Sequence, residues 1–321
     1  MRVATIYDPV QDELAEVEAT LQSVKQIEYP WLEEMLDQVL AGGGKRLRPT
    51  IALLAGRLGE YQPERLVPLA ASIELLHTAT LVHDDVIDSS DTRRGRPTAN
   101  ASYHNATAVM LGDYMFAHAA NLICLTEDLN VVKLFSRTLM AMASGELTQD
   151  MSAHQYSQDT MEYFHRIAGK TASLFATSAE GGAMVAGIAK EWTDALRSYG
   201  ENVGMAFQIV DDILDFTGDE EELGKPVGSD LMQGTLTLPA LLLMERNPDN
   251  NPIQKLFRNK RRQDHLAEAV SLIQNSDILD ESQTVARDFR DRAVAALDPL
   301  PDTEARTALI EIADYVLGRR S

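Results

Sequence analysis

The sequence predicts an all-α fold: a single bundle of about ten or more helices around a central cavity. Three observations predict it. Apolar residues recur with helical periodicity along most of the chain, strand-like alternation is scarce, and glycine and proline clusters fall between the periodic runs. The runs Leu14 to Ile27 and Trp31 to Leu40 precede the break Gly42-Gly43-Gly44. Ile51 to Leu58 and Leu66 to Ile87 follow, up to Gly95-Arg96-Pro97. Ala106 to Leu125, Val131 to Leu147, Met161 to Ala186 and Trp192 to Phe216 then run on to Gly218 and Gly224-Lys225-Pro226. Leu236 to Met244 ends before Asn247-Pro248, and Pro299-Leu300-Pro301 interrupts the later stretches.

With 321 residues, 45% of them hydrophobic and 24% charged, the chain has an ordinary composition and ample material for a large core. Length alone suits about two domains. No linker, repeat or low-complexity tract divides it, so a single domain over 1–321 is expected. The 29 Lys and Arg against 49 Asp and Glu give a net charge of -20, which repels nucleic acid and anionic lipid at long range. An anionic substrate must then be drawn locally, by metal ions and a few placed bases. Cys124 is the single cysteine, so an intrachain disulfide is excluded and a reducing compartment is expected. The acidic N-terminus has no signal-peptide pattern and no segment reaches the roughly 18 unbroken apolar residues of a membrane span, so a cytoplasmic location is expected.

Two aspartate triplets stand out: Asp84-Asp85-Val86-Ile87-Asp88 and Asp211-Asp212-Ile213-Leu214-Asp215. Each lies in an apolar helical stretch, where clustered carboxylates are costly unless a cation compensates them. Residues four apart on a helix are neighbours at about 5–6 Å, so Asp84 pairs with Asp88 and Asp211 with Asp215. One triplet alone is most simply a solvated helix turn. Two triplets, flanked by Leu81, Val82, Phe207, Ile209 and Val210, favour two facing helices that give one all-oxygen pocket suited to Mg²⁺ that shares substrate phosphate oxygens. Both triplets are expected near helix C-termini, where the negative end of the macrodipole raises the demand for cations.

Bases accompany them. Gly42-Gly43-Gly44-Lys45-Arg46-Leu47-Arg48-Pro49 is a glycine-rich turn entering a helix, without the spacing of a nucleotide P-loop. Lys45 and Arg48 with exposed amides suit a diphosphate; a plain surface turn is the rival. His77 lies two turns before Asp84 on the same face, as an anion's hydrogen-bond donor or as a structural histidine. Arg93 and Arg94 follow the first triplet and Lys225 follows the second. Gln208 shares the second stripe, and Gly169-Lys170-Thr171 interrupts a helical run with a cation beside a hydroxyl. Lys255 to Arg262 reads as a solvated basic run, with a weak membrane-surface contact left open.

These blocks, in this order, closely resemble the trans-isoprenyl diphosphate synthases, or polyprenyl synthetases, over roughly Trp31 to Leu243. The resemblance implies an all-α homodimer that condenses isopentenyl diphosphate with an allylic diphosphate and releases diphosphate. It implies that Asp84, Asp88, Asp211 and Asp215 hold about three Mg²⁺ ions with substrate. Asp85 and Asp212 support them. Arg93, Lys170, Thr171, Gln208 and Lys225 would contact the allylic diphosphate, and Lys45, Arg48, His77 and Arg94 isopentenyl diphosphate. Asp84, Asp88, Asp211, Lys170 and Lys225 would then carry the chemistry. The sequence departs from the family at Thr235, where many members have a second lysine.

The family reads the residue five before the first triplet as a gate on product length. Here it is Ala79; Leu76 lies more nearly beneath Asp84 on an ideal helix. Neither is aromatic, and no Phe, Tyr or Trp occurs between Gln62 and Ser102. A product longer than geranylgeranyl is expected. Geranylgeranyl or farnesyl synthesis, a cyclase, and a non-catalytic subunit of a heteromeric synthase remain as alternatives at this stage.

Overall fold

Proline at the first turn of several runs fixes where helices start, because its missing N–H lies among the donors a helix start leaves unbonded. The computed structural model describes residues 6–157, 159–217, 226–249, 251–258 and 262–319. A short 3₁₀ turn, Asp8–Val10, leads into α1 (Gln11–Ser23), α2 (Pro30–Leu40), α3 (Leu47–Gly56) and α4 (Pro63–Ile87). A minimal hairpin, β1 (Thr92–Arg93) and β2 (Arg96–Pro97), precedes α5 (Ala99–Ser102), α6 (Asn105–Cys124) and α7 (Leu129–Ser152). Then come α8 (Thr160–Ile167), a π turn (Ala168–Ala172), α9 (Ser173–Val185) and α10 (Lys190–Thr217). After them follow α11 (Ser229–Gln233), α12 (Leu238–Arg246), α13 (Pro252–Arg258), α14 (Arg262–Gln274), α15 (Ile278–Ala296) and α16 (Glu304–Leu317). The fold is all-α, and among the described residues the hairpin is the only sheet.

The expected runs fall on these helices, but α3 starts four residues before the expected Ile51, α7 continues five residues past the expected Leu147, and two further places differ. The first run was set at Leu14 to Ile27, whereas α1 starts at Gln11 and ends at Ser23, and Ile27 sits in a turn whose N–H donates to Lys25 O at 2.9 Å. The run from Met161 to Ala186 is split by the π turn at Gly169-Lys170-Thr171, the interruption that the sequence marks.

By contacts the chain divides into two units. Met1–Thr138, Leu174–Gly200 and Ala296–Ile312 form the first; Leu139–Ser173, Glu201–Ala295 and Ala313–Ser321 form the second. The division falls inside α7, α10 and α16.

In the first unit α4 is the core. It is long and apolar enough to cross a membrane, but 67% of its apolar window is buried, as in a core helix. It packs against α1, α3 and α6, and Leu66, Leu69, Ile73, Leu75 and Leu76 have no exposed surface. Each such side chain contributes about 1.5–3 kcal/mol through burial. The Ser72 hydroxyl donates to Ala119 O at 2.7 Å and ties α4 to α6.

The second unit has its own core, built from Ile209, Phe216, Leu236, Leu241, Ile253 and Ile273 among others. Here α12 packs on α8 and α14, and α13 packs on α14.

Candidate functional site

In the first unit, α4 ends at the first triplet, with Asp88 as its C-cap. Asp85 is buried, Asp84 half-buried and Asp88 exposed. Burial raises the Asp85 pKa, and the Arg93 guanidinium, whose Nε donates to Asp85 Oδ1 at 2.8 Å, opposes the rise. The hairpin explains that placement. Arg93 pairs with Arg96 across a two-residue turn, Arg94-Gly95, whose φ angles of 51° and 73° match a type I′ turn.

Beside this triplet, α4 and the hairpin line an open pocket of about 760 Å³, solvent included. Its charged lining is Arg46, Arg93, Arg94 and Arg96 with Glu74 and Asp85, and His77 stands beside them. Arg94 donates to the Gly42 carbonyl at 3.3 Å and to that of Gly43, so it grips the glycine turn from outside. Burial, then Arg48, Arg94, Arg93 and Arg46 in turn, hold the His77 imidazole well below its usual pKa. It is therefore neutral at pH 7 and can donate one N–H. Arg48 lies over the Phe175 ring at 4.3 Å, and Lys45 is exposed. Neither is among the residues lining the pocket.

His83 seats the triplet from behind. Its Nε2 lies 3.0 Å from Val109 O on α6, and a Cβ on Gly112 would fall 2.2 Å from that nitrogen. The glycine is what lets α6 approach α4 one residue from Asp84.

In the second unit, α10 carries the second triplet near its C-terminus, with Asp212 and Asp215 buried and Asp211 half-buried. Burial, and next Asp230, push the Asp212 carboxyl up to about 8. The Tyr163 hydroxyl donates to its Oδ2 at 2.6 Å and Gln208 Nε2 to its Oδ1 at 2.8 Å. Gln208 Oε1 in turn accepts from the Thr171 hydroxyl at 2.7 Å. Asp215 Oδ2 accepts the Asp230 N–H at 3.3 Å, and Arg319 Nη2 lies 3.6 Å from Asp211 Oδ1.

Lys170 and Thr171 sit on the π turn, a rare distortion often found at functional sites. Two glycines permit it. A Cβ on Gly145 of α7 would lie 2.7 Å from Lys170 N, and one on Gly169 3.1 Å from Ala141 O. Lys170 Nζ pairs with Glu146 on α7.

The structure thus gathers Arg93, Arg94 and His77 around one pocket in the first unit, and links Thr171, Gln208 and Asp212 in the second. Ala79 and Leu76 are fully buried on α4. Lys225 lies outside the described residues. Thr235 sits in the turn between α11 and α12, its N–H donating to Asp230 O at 2.9 Å. Sequence reasoning passed over Tyr163, Arg166, Asp230, Arg319 and the partners of Arg46. The buried Arg166 donates to Leu236 O at 2.5 Å and so fastens the Thr235 turn. Polar residues at otherwise apolar helix positions, such as Arg166, were the only signal, and Arg319 had none.

The Arg46 side chain is clasped by two carboxylates. Nη2 donates to Glu18 Oε2 at 3.2 Å, Nε to Glu18 Oε1, and Nη1 to Glu74 Oε1 at 2.7 Å. Burial alone would lower its pKa; Glu18 and Glu74 more than offset that and hold it above the usual guanidinium value.

The donors are suited to a hard divalent ion, being carboxylate oxygens at four-residue spacing. Among the described residues no three acidic or histidine side chains gather closely enough to hold a metal unaided. Substrate oxygens and water would have to complete the coordination, which is the habit of Mg²⁺.

The all-α scaffold carries aspartate triplets near the ends of two helices, one of them beside a guanidinium-lined pocket, a donor set suited to a metal-bound polyphosphate. The chain belongs to the polyprenyl synthetase family, whose model matches residues 29–273, and it is a prenyltransferase. It is 39% identical over 320 residues to heptaprenyl diphosphate synthase component 2 of Geobacillus stearothermophilus, covering 100% of this chain and 99% of that protein. It is 36% identical to octaprenyl diphosphate synthase of Escherichia coli, covering 99% of each. A crystal structure of a polyprenyl synthase from Caulobacter crescentus, in complex with calcium and isoprenyl diphosphate, superposes with a TM-score of 0.94. That protein is 36% identical, with 99% of this chain and 98% of that chain covered.

Proposed function

We propose that this chain condenses isopentenyl diphosphate with an allylic diphosphate to make an all-trans polyprenyl diphosphate longer than geranylgeranyl. The pocket beside the first triplet, with Arg93, Arg94 and His77 on its wall, carries the reading. It offers an anion several guanidinium donors in a chain whose net charge of -20 would otherwise repel it. The relatives named above act at the heptaprenyl and octaprenyl lengths, which supports the long product.

Asp84, Asp88, Asp211 and Asp215 are the proposed Mg²⁺ ligands, with about three ions bound alongside substrate. Bound Mg²⁺ supplies stabilisation of the charge that grows on the departing diphosphate. The chain's own residues orient and shield. Arg94, His77, Lys45 and Arg48 hold isopentenyl diphosphate, with the neutral His77 as a hydrogen-bond donor. Arg93, Lys170, Thr171, Gln208 and Lys225 hold the allylic diphosphate. Tyr163 and Gln208 occupy both Asp212 oxygens, so Asp212 supports its neighbours from behind. Apolar walls keep water from the allylic cation while the isopentenyl double bond attacks it. Ala79 and Leu76, non-aromatic and buried on α4, are the proposed gate on product length.

A homodimer in the cytoplasm belongs to the same proposal. On α6, Ala106, Met110, Asp113, Ala117, Ala120 and Cys124 form an exposed row of small residues with one methionine and one acidic residue, a face open to self-association. A second reading, the catalytic member of a heteromeric synthase, is favoured by the description of the Geobacillus relative as component 2. Incubating the purified chain with Mg²⁺, labelled isopentenyl diphosphate and a series of allylic primers tests both. Elongation beyond geranylgeranyl by the chain alone is the expected result; no product with any primer would favour the heteromeric reading.

A further inference from the structure

The clasped arginine of the first unit has no part in the reaction as described. Arg46 adopts a left-handed backbone with φ of 49°, a conformation disfavoured for any residue with a Cβ. It stands between Lys45 and Arg48, so its backbone direction sets where both of those cations leave the turn. Its own charge is matched by Glu18 of α1 and Glu74 of α4, which makes it a poor ligand for an anion.

The N-terminal segment closes on the same turn a second time. The Tyr7 hydroxyl donates to Lys45 O at 2.6 Å. Gly44 passes between the charged groups: a Cβ there would lie 3.3 Å from Arg46 Nη1, 3.6 Å from Arg94 Nη1 and 3.6 Å from Glu74 Oε1. Arg94 holds Gly42 and Gly43 by their carbonyls. The turn is therefore fixed along its whole length, and Arg46 and Glu74 both line the cationic pocket. A clasp that only fastened α1 to α4 would not need the strained backbone or a place on the pocket wall.

We propose that Tyr7, Glu18 and Glu74 are positioning residues which, through the main chain of Lys45 and the side chain of Arg46, hold the Gly42–Arg48 turn in the shape that receives the diphosphate of isopentenyl diphosphate. The inference rests on the assignment of this pocket to that substrate.

The test is steady-state kinetics of the full chain with Mg²⁺, each substrate varied in turn, for Tyr7→Phe, Glu18→Gln and Glu74→Gln. The KM for isopentenyl diphosphate should rise about tenfold in the two carboxylate variants and about threefold in Tyr7→Phe, as expected for lost charged and neutral hydrogen bonds. The KM for the allylic diphosphate and kcat at saturation should stay close to wild type. Equal rises in both KM values, or none, in a variant that melts like wild type would overturn the inference. Tyr7→Phe and Glu18→Gln carry the test if the buried Glu74→Gln fails to fold. Arg94→Gln separates the two layers. If it leaves the KM for isopentenyl diphosphate unchanged, the pocket assignment itself fails; if it raises that KM while the other three variants do not, only the positioning role fails.

Discussion

Within each triplet the three aspartates have different surroundings, and the differences follow from burial. Asp85 is compensated by Arg93 and Asp212 by Tyr163 and Gln208, whereas Asp84 and Asp88 are turned further toward solvent. Removing a carboxylate that holds metal should therefore cost more in turnover than removing one that supports it. Asp84→Asn and Asp211→Asn should each lower kcat by about 10²–10³-fold, the scale of losing a group aimed at developing charge. Steady-state assays at saturating substrate check this, and a fall of less than tenfold would remove either residue from the proposed metal set. His77 makes a separate prediction about acid stability. Its folded pKa is depressed by burial and by four guanidiniums, so the unfolded chain takes up a proton first as pH falls below about 6.5. Stability attached to the neutral imidazole is thus present above that pH and is lost on acidification. The melting temperature of wild type should fall from pH 7 to pH 5 more steeply than that of His77→Gln, measured by circular dichroism.

The π turn and the contact of α6 with α4 each depend on a close approach that only glycine permits. At Gly145, α7 comes within van der Waals reach of the π turn bearing Lys170 and Thr171. Gly145→Ala would press a methyl onto backbone, for which overpacking costs about 1–3 kcal/mol. Thermal melts should show that loss, together with a raised KM for the allylic diphosphate; an unaltered KM would detach the π turn from substrate binding. On α4, Ala79→Phe should fill the wall beneath the first triplet and shorten the product, read by chromatography of dephosphorylated chains. An unchanged product distribution would refute the gate. The helices themselves were legible because apolar periodicity is a local signal: α4, α6 and α10 were all placed within a few residues of their ends. The triplets at the ends of α4 and α10 were legible for the same reason. The clasp on Arg46 and the Tyr163–Asp212 hydrogen bond were not. Their partners lie 28 and 49 residues apart in sequence, and no local pattern ties a surface-typed glutamate on α1 to an arginine before α3.

For the whole molecule, the question raised by the two contact-defined units is whether they unfold separately. Each has a core of its own, Leu66, Ile73 and Leu75 among others in the first and Ile209, Phe216 and Leu241 in the second. Separate cores alone would allow two transitions. Against that, the division falls inside α7, α10 and α16, and a helix cut at an interior residue loses the hydrogen bonds that span the cut. Melting one unit would fray three helices that the other unit needs, so its cost is shared by both. The chain should then unfold as the single domain expected from its uninterrupted sequence. Differential scanning calorimetry of the metal-free protein should give one endotherm with calorimetric and van't Hoff enthalpies in agreement. Two resolved endotherms, or a van't Hoff enthalpy near half the calorimetric one, would show two domains. Repeating the scan with Mg²⁺ and inorganic pyrophosphate should move that single endotherm upward without splitting it, because a ligand bound only by the folded state stabilises whatever unfolds with its site.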